Sequence, residues 1–349
     1  MMMQSPATSL TFWIGKDKKA PPQPQQLLTF TGRSRAGDGT AFFVPELSWM
    51  FDCGALVTKQ APKVLFLTHT HSDHVLFLTR LIEKAPKPLN IYLPKRAVPL
   101  VRQHVHTFQE MVNGGVVDAV NGDDDEKEDS SPTKKQEQQS TTLFEKCTLH
   151  GLDPREEVSI SKYLVKTIEC THRIPCLGYS VYRKVSRLQP EYTSLTSQQI
   201  RELRKQGVET SSEVHEPLFC YLGDTTHHVL EQHPEILAEH STIIVECSFL
   251  DSNDRQRAEK TQHMHWDHLQ PLVHSHPHTL FILTHFSLKY SNAKIRTFFR
   301  DIHNVHPMIM EEELCVEWDK GKVKQTIPED EPVPKCQCFV CTIAAGDTR

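Results

Sequence analysis

The sequence predicts an α/β protein whose chemistry is gathered at the ends of buried strands. Four short apolar runs, "KVLFLTH", "LFCYLGD", "TIIVECSF" and "TLFILTH", each stop at a polar residue able to do chemistry. Runs of this length and composition read as buried strands. The hexapeptides "VLFLTH" (64–69) and "LFILTH" (280–285) are nearly the same, although they lie far apart in the chain. Two halves therefore present a histidine from the end of equivalent strands. Strand ends with variable loops are where α/β folds build their sites. "SQQIRELRKQ" and "HHVLEQHPEILAEH" supply helices between the strands.

Taken in order, residues 1–26 end in "APPQPQQ" and read as a flexible N-terminal lead-in, with order beginning at "LLTFTG". A catalytic domain is expected over residues 27–317, and a cysteine-containing tail over 318–349. Within the domain, residues 121–141 have almost no apolar content, so burial cannot offset the entropy of ordering them. They read as a disordered loop insertion. At 349 residues the chain is long for one domain but not clearly two.

Composition narrows the function classes. No window approaches the roughly 18 apolar residues of a membrane span, and the N-terminus has no charged region before an apolar core, as a secretory signal would. Ten cysteines in such a chain read as reduced thiols. The expected compartment is the cytoplasm, with the nucleus or an organelle also open. The formal net charge of −5 sits almost wholly in "DDDEKED" (123–129). Elsewhere, Arg183, Lys184, Arg187, Arg201, Arg204 and Lys205 face only Glu191 and Glu202 over residues 181–206. This stretch reads as a phosphate-binding patch or as a solvated helix face.

The densest chemistry is "THTHSDH", with His69, His71, Asp73 and His74 directly behind a buried strand. In an extended chain His69 and His71 point to one side, and Asp73 with His74 follows where the chain turns into the helical stretch "VLFLTRLI". Imidazole and carboxylate donors suit zinc or manganese; a His-rich polar loop is the alternative. Partners are expected at other strand ends: His172 in "ECTHRIPC", Asp224 in "YLGDTT" and His285 in "LTHFSLKY". Cys336, Cys338 and Cys341 have spacing for a structural metal with a fourth ligand such as Cys315, or form a reduced tail. His274, His276 and His278 in "HSHPH" read as a solvated loop.

H-x-H-x-D-H, then His172, then "GDT", then "HFSLKY" resembles the metallo-β-lactamase superfamily, and within it the short, plant-type tRNase Z group. The similarity spans roughly residues 27–305 without the acidic insertion. It implies an αββα sandwich of two mixed sheets with helices outside. It also implies two zinc ions, or manganese: one held by His69, His71 and His172, the other by Asp73, His74 and His285, with Asp224 between them. Asp52 in "FDCG" matches a residue that orients the ligand loop. "VECSF" with Glu246 and "QHMHWDH" with His263 match an acid–histidine pair, which braces the metal shell or donates a proton to the departing 3′-oxygen. Asp73 or Asp224 would accept the proton of the attacking water. The implied activity is a metal-dependent endoribonuclease removing the 3′ trailer of precursor tRNA by two-metal hydroxide attack, leaving a 3′-hydroxyl. The implied partners are precursor tRNA and a second copy of the chain. A Gly-rich arm and the Gly- and Pro-rich loop after the first strand are missing; Arg183 to Lys205 would serve for the arm. The same fold hydrolyses thioesters and small phosphodiesters, which are the alternative substrates.

Overall fold

The computed structural model describes residues 8–13, 27–58, 60–113, 142–309, 316–319 and 322–325. The acidic insertion and Cys315, Cys336, Cys338 and Cys341 lie outside the described residues.

The first sheet runs in chain order: β1 (Thr8–Trp13), β2 (Leu27–Ala36), β3 (Gly39–Val44), β4 (Trp49–Phe51), β5 (Val64–Phe66), β6 (Leu89–Pro94) and β7 (Cys147–Leu152). It is antiparallel from β1 to β4 and parallel from β4 to β7. The second sheet holds β8 (Glu157–Ile160), β9 (Tyr163–Cys170), β10 (Cys176–Leu188), β11 (Ser211–Tyr221), β12 (Thr242–Glu246) and β13 (Leu280–Thr284). Beyond β13, a two-residue β14 (Phe286–Ser287) crosses to pair with β2, and β15 (Val305–Pro307) closes the second sheet next to β13. This sheet is antiparallel from β8 to β11 and parallel thereafter. Each sheet thus has a meander half and a parallel half, the mixed sandwich that was expected.

Nine helices cover the described parts of the two outer faces: α1 (Ser72–Val75), α2 (Leu78–Lys84), α3 (Val98–Val112), α4 (Ser197–Lys205), α5 (His228–Gln232), α6 (Pro234–Glu239), α7 (Arg255–Thr261), α8 (Trp266–Ser275) and α9 (Asn292–Phe299). The interior between the sheets is aromatic. Phe30, Phe42, Phe51, Phe66, Tyr179, Phe219 and Tyr221 are all buried there, with Phe51 and Phe66 stacked at 5.2 Å. Such rings bury large apolar area and fix the spacing of the layers. Leu65, Leu67, Ile82 and Val105 pack α2 and α3 on the first sheet. Val229, Ile243, Leu269 and Ile295 do the same for the second.

Two expectations are corrected. The lead-in contains β1, which pairs with β2 from Thr8 opposite Gly32 to Trp13 opposite Leu27; "TSLTFW" is rich in the β-branched and aromatic residues that favour a pleated strand. The boundary between domain and tail falls inside a hairpin of β16 (Val316–Asp319) and β17 (Lys322–Gln325). The helical stretch "HHVLEQHPEILAEH" forms two helices, α5 and α6. His233 leaves helical geometry at φ −127°, ψ 63°, as the residue before Pro234 must to avoid its ring.

Candidate metal centre and active site

The C-terminal ends of β4, β5, β9, β11, β12 and β13 meet at one place. There β4 delivers Asp52, β5 leads to His69, His71, Asp73 and His74, β9 leads to His172, β11 to Asp224, β12 ends in Glu246, and β13 leads to His285. Backbone geometry at these ends is unusual. Asp52 and His285 hold left-handed φ values of 55° and 59°, which non-glycine residues adopt at a cost that active sites commonly carry. Gly54 lies so close to the ligand loop that a Cβ there would stand 1.7 Å from the Asp73 carbonyl oxygen. Only glycine lets the β4–β5 connection support that loop at such range.

The seven expected ligands converge. His69 Nε2 lies 3.0 Å from His71 Nδ1, which lies 3.1 Å from His172 Nε2. His285 Nε2 lies 3.3 Å from Asp73 Oδ2 and 3.4 Å from His74 Nε2. Asp224 stands between the groups, with Oδ2 3.6 Å from His69 and 3.4 Å from His285, and Oδ1 3.5 Å from His74. Four ligand atoms held about 2.0 Å from a zinc ion are roughly 3.3 Å from one another. The observed separations match that spacing.

Hydrogen bonds decide which nitrogen each ring offers. His172 Nδ1 donates to the Gln262 carbonyl at 3.1 Å, and His74 Nδ1 donates to the Asp52 carboxylate at 3.0 Å. Ser248 Oγ donates to Glu246 at 2.6 Å and so accepts from His285 Nδ1 at 3.0 Å. Thr68 Oγ1 donates to Asp52 and accepts from His69 Nδ1 at 3.0 Å. All four rings therefore spend Nδ1 on the protein and turn Nε2 inward, the arrangement that prepares imidazole as a metal ligand. Asp52 is fully buried and also accepts from the Thr68 amide and the Tyr221 hydroxyl. Burial would raise the Asp224 carboxyl pKa, but the surrounding His285, His74 and His69 hold it well below the usual range. A carboxylate ringed by imidazole nitrogens is the donor set of a divalent-cation centre.

Beside this cluster, Glu246 Oε1 accepts from His263 Nδ1 and from the Thr225 amide, both at 2.8 Å. Burial would lower the His263 pKa, but Glu246 outweighs it and raises the pKa to about 9. His263 stacks against His285 at 5.3 Å and lines a cleft of about 300 Å³ with Arg257 and Leu288. A second cleft of about 380 Å³ opens beside His172 between Lys95, Arg96 and Pro175. Arg173 lines both clefts.

The basic patch changes character in three dimensions. Strand β11 returns beside β10, and Glu216 pairs with both Arg183 and Arg187. Lys184 bonds Ser159, Arg204 bonds Thr210 and Ser211, and Lys205 pairs with Glu202. Among the described residues only Arg201 of these six makes no hydrogen bond or ion pair. His274, His276 and His278 do not gather into a metal-binding group among the described residues; His274 lies in α8 and His276 Nδ1 bonds the Leu272 carbonyl.

Residue-by-residue reading of the sequence missed Thr68, Tyr221, Ser248 and Arg173. Arg173 was signalled by its place next to His172. The others act through contacts between distant segments and leave no local pattern.

No protein-family model matches the chain. It is 28% identical over 273 residues to the Arabidopsis thaliana protein named tRNase Z TRZ1, covering 76% of this chain and 87% of that one. It is 26% identical over 272 residues to tRNase Z TRZ2, chloroplastic, of the same plant, covering 76% and 69%. The crystal structure of human tRNase Z, short form, aligns with a TM-score of 0.47 at 17% identity, covering 87% of this chain and 97% of that one. The chain is thus similar in sequence to proteins named tRNase Z, and it folds as two mixed sheets flanked by helices. No described helix is long and apolar enough to cross a membrane.

Proposed function

We propose that this chain is a metal-dependent endoribonuclease that removes the 3′ trailer from precursor tRNA and leaves a 3′-hydroxyl. The observation that carries the reading is the Glu246–His263 pair set against the ligand cluster, with its Nδ1–Oε1 bond of 2.8 Å. A cation site alone is common to hydrolases of many substrates. A protonated histidine beside it answers the particular need of a phosphodiester, whose departing oxygen must be protonated. The names of the plant relatives, tRNase Z, agree with this substrate.

His69, His71 and His172 would hold one zinc or manganese ion, and Asp73, His74 and His285 the other, with Asp224 shared. Bound there, the ions would supply positive charge for the phosphoryl oxygens and make a water nucleophilic near neutral pH. The chain's own residues do the rest. Asp52, Ser248 and the Gln262 carbonyl fix the imidazole tautomers before substrate arrives. Burial would raise the Asp73 pKa, but the His285 hydrogen bond, the His74 and His285 charges and the Gly37 amide outweigh it and hold the carboxyl well below the usual range. An anion held so firmly suits the work of a ligand, so proton donation falls to His263. Glu246 retains the proton on His263 Nδ1 and orients the ring, leaving Nε2 to serve the departing 3′-oxygen. Arg173, exposed between the two clefts, is placed to hold a backbone phosphate on either side of the scissile bond. A homodimer and a cytoplasmic, nuclear or organellar compartment belong to the same reading.

The substrate is tested with zinc-loaded protein on three compounds in parallel: a 3′-extended precursor tRNA, a small chromogenic phosphodiester and a thioester. The precursor should be cut far faster than either small compound. Preference for a small compound would reassign the substrate while leaving the site.

A further inference from the structure

A second group of metal-ligating side chains lies outside the centre already described. We propose that His227, His228 and Glu231, joined by His268, form a separate surface site for a divalent cation of the zinc class. The first three residues come from the start of α5. His228 Nδ1 stands 2.9 Å from Glu231 Oε2, and His227 Nε2 stands 4.0 Å from Glu231 Oε1. One ligand atom from each of the three falls within 4.8 Å of the others. His268 arrives from another element, α8, and its ring centre lies 4.3 Å from that of His227.

Two features set this group apart from ordinary helix-surface ion pairs. First, three imidazoles crowd one carboxylate. Burial, followed by the charges of His228 and His268, lowers the His227 pKa, and the His227 and His268 rings stand together beside the carboxylate. Second, the ring nitrogens of His227 and His268 hydrogen-bond no backbone group among the described residues. Their neighbour His265, by contrast, is committed to the Asp251 carbonyl and the Asp267 amide. Imidazole with one carboxylate is a donor set for zinc, copper or nickel in preference to magnesium or calcium.

The position gives the site a consequence. His227 is three residues beyond Asp224, and His268 is five residues beyond His263. An ion bound here would tie the start of α5 to α8, the helices that run out of the loops bearing those two residues.

Equilibrium dialysis of the full chain at fixed free zinc, read as zinc per chain, tests the proposal. Wild type should hold one ion per chain more than the double variant H227A/H268A, and E231Q should fill this extra site only at higher free zinc. The comparison counts a difference, so it stands whatever the main centre binds. Equal zinc in wild type, E231Q and a folded H227A/H268A would overturn the proposal. If the double variant does not fold, the isosteric E231Q decides alone: an unchanged zinc isotherm overturns the proposal, and a right-shifted one supports it.

Discussion

Four of the histidines at the centre are held by hydrogen bonds through Nδ1, and Asp52 accepts one of those bonds directly from His74 and supports that of His69 through Thr68. Asp52→Asn keeps the shape but removes the charge that His74 and Thr68 lean on. It should lower zinc affinity or activity about 10- to 100-fold, the usual effect of losing a ligand's supporting partner, with circular dichroism unchanged. Unaltered zinc binding in Asp52→Asn would refute this role. His263→Ala separates chemistry from metal binding. It should lower cleavage about 10²- to 10⁴-fold, the range for a general acid, while zinc per chain stays at the wild-type value. Because Glu246 acts through His263, adding Glu246→Gln to that variant should cost little more. Additive losses would show that Glu246 serves the metal ligands directly. At this scale the residues that gather at the centre were legible because they cluster locally or follow a buried strand. Ser248 and Tyr221 were not, since a serine in "CSF" and a tyrosine in "CYLGD" gain their meaning only when β12 meets β13 and β11 meets β4.

The ligand loop depends on the elements behind it. Cys53 and Gly54 bond the His74 carbonyl and the Thr40 carbonyl, at 2.7 Å and 2.8 Å, and place the β4 end under Asp73. Gly54→Ala forces a methyl group into the Asp73 backbone, so the loop must shift. The expected result is a loss of about 1–3 kcal/mol of stability, as for other overpacked sites, with lower zinc content; a melting curve and a metal assay check both. Arg35, buried on β2, donates to the Ser287 and Tyr290 carbonyls at 2.9 Å and 2.6 Å and holds the "HFSLKY" turn after His285. The hairpin of β10 and β11 shows what sequence reading lacks at this scale. The basic run was plain, but its neutralisation by Glu216 depends on pairing across the sheet, and the strand in the lead-in was hidden by the Pro/Gln stretch after it. Arg201→Ala should therefore reduce the salt dependence of precursor tRNA binding by about one unit of log–log slope, as for one lost phosphate contact. Arg187→Ala, whose partner is already Glu216, should change it less.

Across the whole molecule, one centre joins both sheets. The first sheet supplies His69, His71, Asp73 and His74, and the second supplies His172, Asp224 and His285. Metal bound there ties the halves together, so its removal should destabilise the fold and not only silence it. Binding at about 1,000 times Kd stabilises by roughly 4 kcal/mol; chelation should lower the melting temperature, and added zinc should restore it. The two halves were legible because the hexapeptides of β5 and β13 nearly repeat and the two-sheet plan followed from the family resemblance, whereas the order of strands within each sheet was set by pairings that no single segment records. The most direct test of the account is to map the cut in a 3′-extended precursor tRNA treated with zinc-loaded wild type and with Asp224→Asn. The account predicts a single cut beside the discriminator nucleotide, a 3′-hydroxyl on the tRNA, and no product from Asp224→Asn. An uncut precursor from protein shown to hold its metal, or an undiminished cut from Asp224→Asn, would contradict it.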